Sequence, residues 1–206
     1  PPRVEPAGDV IDLGEVSATR GGKPRKWWQF RTRDEPVFIA GPVHLTVRPG
    51  AALWLRGDNG AGKTTLLRAM AGLDGNPGLE QTHGLGVSLA LQRAADQLAE
   101  STVGQFVGDA DAAAALGFDP ETHPLDLPAA HLRLAQLAQV FAQQRPLVLL
   151  DEPDVGLDSA SCDRAHALIS AGLHRGQAVI FTCHDATFAE EVGEYNYVSE
   201  CFLRMH

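Results

Sequence analysis

The feature that most constrains this chain is a glycine-rich run that ends in lysine and threonine, Gly57-Asp58-Asn59-Gly60-Ala61-Gly62-Lys63-Thr64. It fits the pattern G-x-x-x-x-G-K-[ST] at every position. Glycines allow backbone angles that turn several N–H groups toward one point, which makes a nest for phosphate oxygens. Leu53-Trp54-Leu55 precedes the run and Thr65-Leu66-Leu67 follows it, as a strand and a helix would. The run therefore predicts a phosphate-binding loop inside an α/β fold.

The last residues of the run indicate which phosphates are bound. Lys63 is expected to reach the β- and γ-phosphates of ATP, and the hydroxyl of Thr64 is expected to ligate Mg²⁺. The positive end of the helix that follows faces the same anion. The predicted cofactor-binding residues of the loop are Gly57, Asp58, Asn59, Gly60, Ala61, Gly62, Lys63, Thr64 and Thr65.

Apolar runs alternate with helix-like stretches along the rest of the chain, a pattern that predicts a mainly parallel sheet with helices. The predicted strands are 10–16, 43–47, 51–55, 86–91, 147–150 and 178–181, and the predicted helices are 64–71, 131–143 and 159–173. Residues 20–36 are rich in Arg, Lys, Gly and Pro and indicate an exposed turn or hairpin. An Ala-rich stretch at about 93–130 indicates a small helical insert.

Two further strands end in residues that can do chemistry. Asp151 and Glu152 follow the continuously apolar run 147–150, and His184 follows the apolar run 178–181. Open α/β sheets place their chemistry at the carboxyl ends of such strands. Asp151 is expected to hold Mg²⁺, Glu152 to act as general base toward the attacking water, and His184 to contact the γ-phosphate.

Composition bounds the function. The 206 residues include 17 basic and 26 acidic side chains, a net charge of −9, which argues against a free-standing nucleic-acid binder. Three cysteines, Cys162, Cys183 and Cys201, form neither a metal-binding spacing nor a disulfide framework, so a reducing cytosol is expected. No apolar stretch approaches the length that spans a bilayer, so a membrane role is expected to come through a partner.

Taken in order, these residues resemble the ATP-binding-cassette (ABC) ATPases over nearly the whole chain. They look like the Walker A loop (57–64), the Q-loop (Gln92), the signature segment (from Leu127), the Walker B strand (147–151), the catalytic glutamate (Glu152), the D-loop (155–158) and the switch histidine (His184). The resemblance implies a P-loop NTPase fold with a parallel sheet core, an antiparallel β subdomain and a small helical subdomain, all within one nucleotide-binding domain, 1–206. It also implies that Gln92 takes part in catalysis and in Mg²⁺ binding.

The same resemblance implies partners. ATP is expected between two such domains, in a homodimer or a heterodimer, and an integral membrane subunit is expected to carry the substrate. The chain would then lie in the cytoplasm, peripheral at the inner face of the cell membrane. Residues 91–103 look like the Q-loop segment of cobalt-type and energy-coupling-factor importers, which favours vitamin or metal-ion import. A short haem-export-type ATPase is the alternative within transport.

Two positions depart from the family pattern. Where the signature is normally Leu-Ser-Gly-Gly-Gln, this chain has Leu127-Pro128-Ala129-Ala130-His131. Pro128 offers neither a hydroxyl nor a backbone N–H to a γ-phosphate, and alanines add Cβ atoms where the backbone must approach closely. The adenine-stacking aromatic is also absent from its usual place, where Arg20 stands, and a guanidinium can stack on a base. Trp27 and Trp28 are the rival candidates.

Three functions remain open. The first is a transporter motor, with import of cobalt or a vitamin preferred over haem export. The second is a non-transport ABC-type ATP clamp, against which the acidic charge counts. The third is a weakly catalytic structural subunit, which Pro128 favours and Glu152 opposes.

Overall fold

The computed structural model describes Pro6 and residues 8–20 and 38–204. The strands are β1 (Ile11–Arg20), β2 (Phe38–Val47), β3 (Ala51–Arg56), β4 (Val87–Ala90), β5 (Leu147–Leu150), β6 (Ala178–Phe181) and β7 (Tyr197–Phe202). The α-helices are α1 (Lys63–Met70), α2 (Leu79–His83), α3 (Val103–Val107), α4 (Ala110–Ala115), α5 (Ala129–Ala142), α6 (Ser159–His174) and α7 (Ala186–Tyr195). Most of the predicted turn at 20–36, including Trp27 and Trp28, lies outside the described residues.

The sheet confirms the predicted α/β class. Five strands pair in parallel in the order β4-β5-β6-β3-β7, while β1 and β2 form a separate antiparallel pair. Successive side chains of a strand point to opposite faces. On β5, Val148 and Leu150 accordingly pack in one core cluster, and Leu147 and Leu149 pack in the other. All four are buried, because helices cover one face and α1 with the β1–β2 pair covers the other.

The end of the chain differs from the prediction. Residues 178–181 were expected to be the last strand, but α7 and β7 follow them. β7 pairs in parallel with β3, from Ala51↔Tyr197 to Arg56↔Phe202. An edge strand needs no continuous apolar run, and the residues of β7 are half-buried or exposed, so its polar sequence gave no strand signal.

The antiparallel pair is longer than the sequence suggested. β1 continues to Arg20 and β2 begins at Phe38, where 10–16 and 43–47 were predicted. Two register shifts, between Asp12 and Gly14 and between Val16 and Ala18, interrupt the simple alternation that identifies a strand.

The region predicted as a helical insert, about 93–130, contains short helical pieces between β4 and β5. They are α3, α4 and two 3₁₀ turns, Ala94–Gln97 and Pro124–Asp126. Phe106 and Phe118 pack with residues of α5 in one core cluster, so the insert rests on the helix that follows Pro128. None of the helices among the described residues has both the length and the hydropathy that a membrane crossing requires.

Candidate functional site

The phosphate-binding loop lies under the antiparallel strands. Gly62 precedes α1 with a φ of 93°, in the left-handed region. A Cβ at this position would lie 2.5 Å from the Cβ of Ala40 and 2.8 Å from Cε1 of Phe38, so both the backbone angle and the close approach require glycine. Lys63 is buried, and its Nζ donates to the carbonyls of Gly57 (2.6 Å) and Asp58 (3.1 Å). The ammonium is thus held at the mouth of the loop.

Asp151 lies beside the start of α1. Its Oδ1 accepts hydrogen bonds from the hydroxyls of Thr64 (3.0 Å) and Thr182 (3.1 Å). Its Oδ2 is buried and has no hydrogen-bond partner among the described residues. A buried carboxylate oxygen is costly to leave without a partner, and a hard cation is the partner that such an oxygen prefers.

Glu152 is clamped at both carboxylate oxygens. His184 Nε2 lies 2.6 Å from Oε1, and Gln92 Nε2 donates to Oε2 at 2.5 Å. The Glu152 backbone has a φ of 50°, which is rare for a residue other than glycine, and its N–H donates to the Thr182 hydroxyl at 3.0 Å. Backbone strain of this kind is characteristic of functional sites.

The strand register explains why these side chains meet. Ala90 of β4 pairs with Leu150 of β5, which pairs with Phe181 of β6. The three parallel strands therefore end at one edge, and Gln92, Glu152 and His184 follow directly after them. The structure therefore brings together Gln92, Glu152 and His184, the three residues predicted from the sequence to be catalytic.

A cavity of about 510 Å³ opens over the loop. It is lined by Asn59, Gly60, Gly62, Lys63, Thr64, Thr65, Glu152, His184, Arg20 and Phe38. Of the remaining predicted residues, Gly57 and Asp58 lie in the loop beneath Lys63, and Ala61 is buried in the core. Gln92 and Asp151 line a second cavity of about 230 Å³, which shares Thr64 with the first.

Phe38 lies opposite Arg20 in the register of β1 and β2, so both planar side chains stand at the same end of the antiparallel pair. The loop that follows α1 holds this end in place. Asn76 accepts from the N–H of Thr19 and donates to its carbonyl, both at 3.2 Å. Asp74 in the same loop receives two hydrogen bonds from Arg68, which lower the pKa of Asp74.

The signature segment adopts an ordinary helix start. Pro128 is the N-cap of α5 and makes no side-chain capping hydrogen bond. Pro128 and Ala129 are exposed, and the ring of His131 lies 5.4 Å from that of Phe118. The helix forms despite the altered residues, because proline is tolerated at a helix start.

Three residues near the site were missed from the sequence. Phe38 could be placed only by the irregular β1–β2 register. Thr182 follows β6 directly, and its polar side chain at a strand end was the available signal. Arg133 is buried on α5 and donates to the carbonyls of Asp151 and Glu152, both at 2.6 Å. No motif in the sequence marked it.

Comparison with known proteins agrees with this geometry. Residues 40–83 match the profile of the family described as ABC transporter. The cytochrome c biogenesis ATP-binding export protein CcmA of Gluconobacter oxydans is 32% identical over 95% of this chain and 93% of its own length. The protein of the same name from Hyphomonas neptunium is 36% identical over 75% of this chain and 86% of its own length.

Solved structures agree in fold. The dimeric structure of a bacterial ABC transporter cassette matches with a TM-score of 0.68 over 95% of this chain and 94% of that one, at 18% identity. A dimeric post-hydrolysis ATP-binding cassette bound to ADP and Pi matches with a TM-score of 0.58 over 88% of this chain and 90% of that one, at 16% identity. With the sequence relatives, these findings show that the chain belongs to the ATP-binding ATPases of ABC transporters.

Proposed function

We propose that this ATPase hydrolyses ATP to drive an export step of the cytochrome c biogenesis type, through an integral membrane partner. The observation that carries hydrolysis is the Glu152 carboxylate, held between Gln92 and His184 at the edge of the cavity that contains Lys63. Export is supported by relatives that are named cytochrome c biogenesis ATP-binding export proteins and that align with most of the chain. They give no support to the cobalt- or vitamin-type import that residues 91–103 suggested, and the haem-export alternative takes its place.

The loop and Lys63 would bind the β- and γ-phosphates. The backbone N–H groups of 57–65 would surround the anion, and the Lys63 ammonium would exchange its carbonyl partners for phosphate oxygens. Thr64, Asp151 and Gln92 would hold Mg²⁺, and the buried Oδ2 of Asp151 fits a ligand to a hard cation. When bound, Mg²⁺ neutralises charge on the phosphate oxygens.

Glu152 would take the proton of the attacking water. A general base must lie within hydrogen-bond reach of the proton that it accepts, and its orientation must be held. The contacts from His184 and Gln92 supply that orientation. His184 is about half exposed, so it can turn to donate to the γ-phosphate while remaining near Glu152.

Arg20 and Phe38 would flank the base of ATP. Both line the cavity, and each presents a flat group on which adenine can stack. Arg20→Ala and Phe38→Ala should each weaken ATP binding without a change in kcat. Equilibrium binding of a fluorescent ATP analogue decides which of the two contributes more.

The proposal includes two partners. A second ABC ATPase domain, identical or different, would close over the nucleotide, and an integral membrane subunit would couple closure to transport. The chain would then lie on the cytoplasmic face of the membrane as one nucleotide-binding domain. With a net charge of −9, no nucleic-acid partner is expected.

The ATPase is tested by phosphate release across protein concentration, for the wild-type chain and Glu152→Gln. We expect turnover that rises with dimer formation and is lost in the variant. Turnover that is unaffected by Glu152→Gln would overturn the assigned site.

Export is tested separately by complementation. The chain, with its own membrane subunit, replaces the CcmA of a bacterium, and haem-stained cytochrome c is measured. Restored cytochrome c supports the proposal. Active ATPase without any cytochrome c would reject this type of export and leave another transport role.

The weakly catalytic structural subunit is a second candidate, which Pro128 at the start of α5 favours. It predicts ATP binding with negligible turnover in the isolated chain. Turnover would then appear only with a partner domain that carries an unaltered signature.

A further inference from the structure

Arg133 is a buried cation whose hydrogen-bonding capacity is fully used. It is 3% exposed, and burial lowers its pKa to about 10. A guanidinium has five N–H donors. Nε donates to the carbonyl of Pro153 (3.5 Å), Nη2 to the carbonyls of Asp151 and Glu152 (2.6 Å each), and Nη1 to the carbonyl of Leu91 (2.5 Å) and to Gln136 Oε1. The five donors have five acceptors.

Four of the five acceptors are main-chain carbonyls of the site, the fifth is the side-chain amide oxygen of Gln136, and none is a carboxylate. Asp151, Glu152 and Pro153 are consecutive after β5, and Leu91 immediately precedes Gln92. Asp151, Asp154 and Glu152 stabilise the charge only from a distance. Burying a charge without a directly bonded counter-ion is costly, so the arrangement has to be held by its hydrogen bonds.

The same hydrogen bonds stabilise the strained backbone conformation of Glu152. Its φ of 50° is unfavourable for a residue with a Cβ, and the structure must stabilise it from outside. The two 2.6 Å bonds do so, because their acceptors are the carbonyl of Asp151 and that of Glu152 itself, which belong to the two peptide groups that flank the Glu152 Cα. If they were lost, the backbone would be free to relax and would carry the carboxylate with it.

Gln136 and Gln97 extend the contact to the other side of the site. Gln136, one turn along α5 from Arg133, donates to the carbonyl of Leu91 (3.0 Å) and to Gln97 Oε1. Gln97 accepts from the N–H of Leu91 at 2.9 Å and donates to the carbonyl of Leu89 at 2.8 Å. The segment before Gln92 is therefore bound to α5 through both its N–H and its carbonyl.

We propose that Arg133 is a positioning residue that holds Glu152 and Gln92 in register with each other and ties both to α5. It does not touch the reacting atoms; it fixes the backbone from which the two side chains extend. The inference rests on the proposed hydrolysis of ATP at Glu152.

The test compares Arg133→Met, Arg133→Lys and the control Arg164→Met in the full chain. Arg164 is also a helical arginine that donates to a main-chain carbonyl, that of Leu116, and its guanidinium lies over Phe118 rather than on the carbonyls that follow β4 and β5. We measure kcat and KM for ATP, the Tm, and amide hydrogen exchange. A small misplacement of a catalytic group can reduce the rate about 100-fold, so Arg133→Met should lower kcat about 10- to 100-fold and change KM less than about twofold.

Lysine has three donors on one atom and cannot serve five acceptors in a plane, so Arg133→Lys should recover only part of kcat. If Arg133→Met does not fold, the kcat of Arg133→Lys provides the test. A folded variant of either kind with wild-type kcat would overturn the inference, and so would an equal loss in Arg164→Met.

Hydrogen exchange separates this inference from the proposed function. If the wild-type chain shows no Glu152-dependent turnover, the proposed function fails, and positioning is judged from exchange alone. Faster exchange confined to residues 91–92 and 151–152 in Arg133→Met supports positioning. Unchanged exchange, or equally faster exchange across the whole chain, rejects it.

Discussion

Two regions of this chain are proposed to contact nucleotide, and they differ in how far they keep the residues of the family pattern. The first, here called the own site, comprises the loop 57–65 with Asp151, Glu152 and His184, and it retains every residue type that its chemistry needs. The second, the signature segment 127–131, has proline and alanines where serine and glycines are usual. In the proposed dimer, the own site holds one ATP, whereas the signature segment faces the ATP of the partner.

The difference shows that a substitution can leave the fold of a segment intact and still remove the groups with which that segment would bind a phosphate. α5 begins directly after its N-cap Pro128 and packs normally, because helix formation needs a compatible φ and a buried apolar face. A contact to a partner's phosphate needs N–H and hydroxyl donors, which Pro128 lacks. The chain can therefore keep a full site of its own and still contribute poorly to that of a partner.

The largest expected effect comes from removing the base of the own site. Glu152→Gln should reduce kcat at least about 100-fold, since general-base catalysis contributes about 10²- to 10⁴-fold. ATP binding should persist because Lys63 and the loop are unchanged. Phosphate release and ATP affinity are measured together, with the exposed Glu190→Gln as matched control. An equal loss of kcat in Glu152→Gln and Glu190→Gln would contradict the assignment of Glu152 as the base.

Packing at the other end of α5, the helix that follows the signature segment, can be tested next. A Cβ on Gly172 of α6 would lie 2.4 Å from the ring of Phe141, a buried residue of α5. Gly172→Ala should lower the free energy of unfolding by about 1–3 kcal/mol through overpacking. On α7, a Cβ at Gly193 has its closest contact at 3.9 Å, so Gly193→Ala should not destabilise. Urea unfolding measures the stability of both variants. If Gly172→Ala were as stable as Gly193→Ala, α5 would be free to shift away from the added methyl group.

Restoring a donor to the signature segment should have a moderate effect. Pro128→Ser supplies an N–H and a hydroxyl, and in a homodimer it should raise kcat about tenfold, which corresponds to about 1.4 kcal/mol in the transition state. The gain must disappear in the double variant Pro128→Ser/Glu152→Gln if it acts through the own site of the partner. An unchanged rate would show that the altered segment is already competent.

The smallest effect is a pH dependence outside both regions. His166 packs 4.5 Å from the Phe188 ring, and burial lowers its pKa, although Glu191, Asp163 and Glu194 oppose this. The unfolded chain then binds the proton more readily, with a pKa of about 6.5. Stability is full above that pH and falls as the pH drops toward the folded pKa. His166→Phe should flatten the change in Tm between about pH 7 and pH 5, whereas the exposed His174→Gln should not; equal slopes would contradict this assignment.

Much of the own site could be predicted from sequence because its parts are local. A glycine-rich loop between a strand and a helix can be recognised from a continuous stretch of about ten residues. The same holds for acidic residues that follow an apolar run. Phe38 and Arg133 could not be found in this way. The position of Phe38 depends on its partner across the irregular β1–β2 pair. The role of Arg133 depends on main-chain carbonyls, which every residue possesses.

The sequence by itself determined the α/β class, the phosphate loop, the strand-end residues and the altered signature, since these depend on side-chain type and periodicity. Tertiary structure alone decided that Gln92 and His184 clamp Glu152, that Arg133 holds its backbone, and that β7 completes the sheet. These features arise from the register between distant strands and from main-chain hydrogen bonds, and neither is written in the identity of a single residue.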